Sequence, residues 1–205
     1  MKDIFVEVDW MKKEIEGRWY ADGSVGKYYV PGFTIEYRMK EGAQNKVIRP
    51  FGKHDIALHI DDGCMGGGEG NIPYKQKMSE EMKDDLFYNK SYYSKYFDST
   101  RHGKFHHCIF ADLGWLHNWN NWHGGQGEFA GDSFIVFEGD CDNSKETANC
   151  FMHELGHNLL GTSPSHLDGD GHCDDSDCSM QNDARDGEVD YCIDCWNSLY
   201  LPYVG

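Results

Sequence analysis

Residues 142–161, DNSKETANCFMHELGHNLLG, decide how this chain is read. Ala148, Phe151, Met152, Leu155 and Leu159 recur at helical spacing and form one apolar stripe. Asn143 stands where an N-cap belongs and Glu146 follows three residues on, the capping-box arrangement. Gly161 offers a stop and Pro164 bars continuation. The pattern predicts a capped amphipathic helix packed by its stripe against a core. On its other face lie His153 and His157 in the string HELGH. Residues i and i+4 stand one turn apart, so both imidazoles project the same way. Two ligands of a tetrahedral zinc need that disposition, and Glu154 beside the first ligand is placed to take a proton from a metal-bound water.

Outward from this helix, the sequence alternates strand and helix signals. Ile4–Trp10 reads as a strand with Ile4, Val6 and Val8 on one face, and Asp55–Ile60, Phe105–Ala111 and Ser133–Glu138 as three more. Gly127–Ala130 is a candidate edge strand. Residues 39–51 and Ser79 to about Tyr93, with Ser79 as a cap, read as helices, as does the stretch around 187–200. Residues 11–38 carry no clean period. Alternation of this kind implies an α/β fold with a twisted, mostly parallel sheet. Glycines cluster in 63–70 and 123–131, which read as loops within one domain, 1–205.

Composition bounds the function. With 205 residues and 14% aromatics the chain can bury a core. A net charge of −16 repels phosphate backbones and anionic membranes, so nucleic acid and membrane surfaces are poor partners. No apolar run is long enough to span a bilayer. The N-terminus has no signal-peptide pattern, which fits either a cytoplasmic protein or a trimmed secreted chain.

A catalytic zinc with two histidines needs a third ligand and an open position. His166 and His172 follow the helix, with Asp168 and Asp170 as weaker options. Cys173, Cys178, Cys192 and Cys195 have spacing suited to a four-cysteine structural zinc site, and equally to two disulfides. Cys64, Cys108, Cys141 and Cys150 lack metal spacing and read as buried thiols or disulfides. His106 and His107 read as structural residues of a strand. The run from Asp168 to Asp175 matches a calcium loop only in part, so calcium is a weak second candidate.

HELGH followed by Gly161, a histidine and Met180 resembles the metzincin clan of zinc metallopeptidases. The run His172-Cys173, Cys178, Met180 and Cys192-x-x-Cys195 resembles the archaemetzincin signature. The resemblance implies a single domain with a cleft between an upper part, to about residue 160, and a small irregular lower part, 161–205. It implies a Met turn at Met180 beneath the metal, and a second, structural zinc on the four cysteines. It also favours His172 over His166 as third ligand, because His172 keeps the register to Cys178 and Met180. Residues 162–171 then form an inserted loop. The chain departs from the clan in having Ser163 at the usual third-histidine position and no Tyr two residues after Met180. The implied activity is hydrolysis of peptide bonds in a peptide or protein substrate, with Glu154 as general base. An aminopeptidase and a non-catalytic zinc-stabilised binding protein are the alternatives. In the clan an edge strand and loop above the metal bind substrate, which points here to WLHNWNNWHGG (115–125) with His117 and His123.

Overall fold

The computed structural model describes residues 2–22, 26–87, 95–114, 124–160, 172–173, 178–180 and 189–199. Its spine is β1 (Lys2–Ile15), flanked in parallel by β5 (Ile56–Asp61) and β7 (Phe105–Ala111). β9 (Ser133–Phe137) lies parallel to β7, and β8 (Gly125–Gly127) closes that side as an antiparallel edge. β4 (Phe33–Glu36) pairs antiparallel with the far end of β1, and β6 (Ile72–Pro73) adds a short parallel pairing at Met11. The sheet is therefore mixed and mostly parallel, as the alternation implies. β2 (Arg18–Asp22) and β3 (Gly26–Val30) form a separate two-stranded hairpin.

Two expectations change here. β1 runs well beyond Ile4–Trp10, because Lys12–Ile15 continue pairing with β4. Within 11–38 the described residues include the end of β1 and then β2, β3 and β4. Trp19, Tyr20, Tyr28, Tyr29 and Phe33 stay exposed there, so no buried face imposes an alternating pattern.

The helices are α1 (Glu41–Lys53), α2 (Glu80–Phe87), α3 (Ser144–Leu159) and α4 (Ile193–Ser198). Ser79 Oγ accepts the Met82 N–H at the start of α2; residues 88–94 of the expected helix lie outside the described set. α4 is shorter than the helix expected over 187–200. Residues 189–192 are spent instead on bonds to the 178–180 segment, as where Ser179 N–H meets the Asp190 carbonyl at 2.7 Å.

Strand alternation splits the core in two. Cys108, Phe110, Phe134 and Val136 join Val47, Phe51, Phe151, Met152 and Leu155 on the face covered by α1 and α3. Ile109, Ala111, Ile135 and Phe137 join Leu86 and Phe87 of α2 on the other. The first cluster also takes in Cys173, Cys178, Met180, Tyr191, Cys195 and Trp196, so one core runs from the sheet into the C-terminal segment. No helix among the described residues is long and apolar enough to cross a membrane.

Candidate metal centre

α3 begins as its sequence demands. Asn143 Oδ1 accepts the N–H groups of Lys145 (2.9 Å) and Glu146 (3.2 Å), satisfying two orphan donors of the first turn. Glu146 departs from the capping-box pattern: its carboxylate takes the Asp142 N–H and the Asn143 amide, not the Asn143 N–H. The buried stripe predicted for the helix faces the core, and His153 and His157 stand one turn apart on its other side.

One ring nitrogen from each of His153, His157 and His172 lies within 4.8 Å of the other two. The Nε2 atoms of His153 and His157 are 3.2 Å apart. Two nitrogens held at zinc-like bond lengths on one tetrahedral ion stand about 3.3–3.4 Å apart, so the pair is already at ligand spacing. His153 Nδ1 donates to the Ser179 carbonyl at 2.8 Å. That bond fixes the tautomer and leaves the Nε2 lone pair for a metal, the usual outer-shell arrangement. Of the candidate third ligands the structure brings His172 to this centre. His166, Asp168 and Asp170 lie outside the described residues, as do Gly161, Pro164, His117, His123 and the whole calcium-like run except His172 and Cys173.

Glu154 is 6% exposed. Burial pushes its carboxyl up to about 8, against the lowering effect of a hydrogen bond from the Gly127 N–H. The edge strand is what covers it. A methyl group at Gly125 would sit 2.7 Å from Glu154 Cγ, and one at Gly127 would sit 2.5 Å from the Glu154 carbonyl oxygen and 2.9 Å from His157 Cβ. Only glycine lets β8 approach the helix this closely. The edge strand thus falls at Gly125–Gly127, not at Gly127–Ala130; residues 128–132 make a turn instead. The Ala130 N–H bonds the His157 carbonyl, and Asn158 Nδ2 bonds the Glu128 carbonyl. His106 Nδ1 reaches Asn158 Oδ1 of α3 at 3.2 Å, and His107 Nε2 reaches Asp9 at 2.9 Å, so the two strand histidines enter polar networks on opposite faces of the sheet.

Met180 is fully buried directly beneath the helix. A methyl group at Gly156 would come 2.1 Å from Met180 Sδ and 3.2 Å from the Tyr191 hydroxyl. Tyr191 in turn donates to the Met152 carbonyl. Gly156 therefore has a packing reason to be glycine.

Cys173, Cys178, Cys192 and Cys195 form a second group whose sulfurs lie within 4.8 Å of one another and which can hold a metal ion. The contacts Cys173–Cys192 (3.5 Å) and Cys178–Cys195 (3.6 Å) lie close to the roughly 3.8 Å between thiolates on one tetrahedral zinc. The Cys195 thiol and the N–H groups of Cys192 and Met180 converge on Cys178 Sγ and hold it down at about 6, against burial; its neighbour Cys195 is pushed up correspondingly. Backbone N–H groups aimed at sulfur favour a thiolate. The two centres are tied together: Cys173 N–H bonds the Met180 carbonyl, and Ser179 joins the first centre to Asp190 beside the second. Of the other cysteines, Cys108 and Cys150 are buried as expected, Cys141 is half-buried, and Cys64 is exposed at the start of the glycine-rich loop, contrary to expectation.

Sequence reasoning missed Ser179, Gly127, Gly156 and Tyr191. Ser179 and Gly127 act through backbone atoms, which no side-chain type announces. The glycine pairing around Gln126 and the glycine inside HELGH were the available signals. In comparisons with known proteins, no family model and no curated protein matches this chain.

Proposed function

We propose that the chain is a metzincin-like zinc metallopeptidase. His153, His157 and His172 hold the catalytic zinc, and Cys173, Cys178, Cys192 and Cys195 hold a second, structural one. The observation that carries this reading is the convergence of three imidazoles beside a buried glutamate on the same helix. A purely structural site needs no such carboxylate, which favours turnover over a binding role.

When bound, zinc at this site would polarise the scissile carbonyl and make water a better nucleophile at neutral pH. The residues supply the rest. Glu154 takes the proton of the attacking water and passes it to the leaving amine. Its burial against Gly125 and Gly127 and the bond from the Gly127 N–H hold the carboxylate in one place. Ser179 holds the His153 ring in its metal-binding orientation. The Met180–Gly156 contact and the Tyr191–Met152 bond fix the helix over the C-terminal segment that carries His172.

The test is hydrolysis of a mixed peptide pool by the purified chain, before and after chelation and after zinc is restored. Hydrolysis that vanishes with chelation and returns with zinc supports the reading. A zinc-loaded chain that cleaves nothing rules it out. Product mapping on N-blocked and unblocked peptides in the same assay assigns endopeptidase or aminopeptidase action, and the clan resemblance predicts internal cleavage of both.

A further inference from the structure

Cys141 and Cys150 take no part in either centre. Cys141 is half-buried at the end of a 3-10 turn, Glu138–Asp140, that joins β9 to α3. Cys150 lies in the second turn of α3, 2% exposed and three residues ahead of His153. Their sulfurs are 3.4 Å apart, and Cys141 Sγ also rests 3.5 Å from the Phe137 carbonyl. Among the described residues the pair belongs to no group of three or more metal-type ligands, whereas the four C-terminal cysteines do. Two sulfurs alone do not make a tetrahedral site. They do make a disulfide, whose S–S length of about 2.0 Å demands an approach of roughly 1.4 Å, within reach of side-chain rotation.

We propose that Cys141 and Cys150 are a disulfide-forming site, oxidised by exchange with a small disulfide such as oxidised glutathione. Cys141, the more accessible of the two, loses its proton, and its thiolate attacks one sulfur of the oxidant. The oxidant's S–S bond breaks and one glutathione thiolate leaves. Cys150 then gives up its proton and attacks Cys141 Sγ, displacing the second glutathione thiolate. Two protein thiols are oxidised, one small disulfide is reduced to two thiols, and the two protons end on them. The product closes a ten-residue loop, 141–150, and staples the β9–α3 turn to the helix that carries His153 and His157. This inference is independent of the peptidase reading.

The experiment treats the zinc-loaded full chain with oxidised glutathione under native conditions. The expected result is a Cys141–Cys150 pair lower in mass by two hydrogens, with any retained glutathione confined to the exposed Cys64. Cys141 and Cys150 become protected from alkylation and are linked in a single peptide pair, and zinc content is unchanged. Tm rises on the order of 5–10 °C and falls back on reduction. Cys150→Ser should instead trap one glutathione on Cys141, and Cys141→Ser should leave Cys150 unmodified. Continued alkylation of both thiols in the treated parent, or a link that joins other cysteines, would overturn the proposal. An oxidised pair with unchanged Tm would overturn its role as a staple.

Discussion

A methyl group at Gly156 has nowhere to go except into Met180 Sδ, 2.1 Å from its ideal position. Gly156→Ala should therefore push Met180 and the 178–180 segment away from α3. Overpacking of this kind costs about 1–3 kcal/mol, to be read from the denaturant midpoint. Zinc affinity should fall with it, because Ser179, next to Met180, orients His153. The third ligand is tested at the same scale. His172→Ala should lose zinc affinity by more than about 100-fold, exceeding the loss from an outer-shell change, while His166→Ala should bind as the parent does. The histidines were legible in the sequence because metal ligation on a helix demands the i, i+4 spacing. The Ser179 carbonyl and the Gly127 N–H were not, because any residue type carries those groups.

Among the elements, α3 depends on its cap. Asn143→Ala removes an oxygen that serves two backbone donors and should cost about 1 kcal/mol, seen as a lower unfolding midpoint with the zinc site intact. The C-terminal segment depends on its cysteines. Cys192→Ser should release one of two zincs per chain and loosen α4, whose Trp196 packs edge-on against Phe51 at 5.1 Å. One zinc in the parent, with oxidised cysteines found on thiol titration, would show disulfides in its place. Strands β7 and β9 were readable because each buries alternate side chains on two cores, and β5 because Ile56, Leu58 and Ile60 alternate into one of them. β8 was misplaced by two residues because Gly-Gln-Gly has no apolar period; its position is set by the close approach to Glu154 and His157. β2 and β3 were unreadable for the opposite reason, their aromatics being exposed.

Across the whole molecule, the buried charges away from the metal centres predict a pH dependence. Glu7 faces Asp9, Asp61 and Arg101 at the sheet. Burial and then Asp9 push its carboxyl up to about 7 from an ordinary 4.5, with Arg101 (2.7 Å) opposing. A carboxyl raised on folding favours the folded state when protonated. Its contribution is complete below pH 4.5 and is lost as pH rises through about 7. Glu7→Gln should therefore be more stable than the parent at pH 8, by about 1–3 kcal/mol, with the difference vanishing near pH 5. Asp61 works the other way. Burial alone would raise it, but N–H bonds from Met65, Gly67 and Gly63 and the Arg101 guanidinium bring it below the usual carboxylate range. It thus contributes above its unfolded value, and the contribution is lost toward strong acid.

The fold, the two ligand groups and the glutamate meet in a single claim, that this chain hydrolyses peptide bonds with zinc on His153, His157 and His172 and with Glu154 as base. The most direct measurement is the rate of peptide hydrolysis by the zinc-loaded parent beside Glu154→Gln at equal zinc content. The account predicts full zinc in both, turnover by the parent, and a rate at least about 100-fold lower in the variant, since the proton carrier is gone. Equal rates in the two, or a fully loaded parent that cleaves nothing, would contradict it.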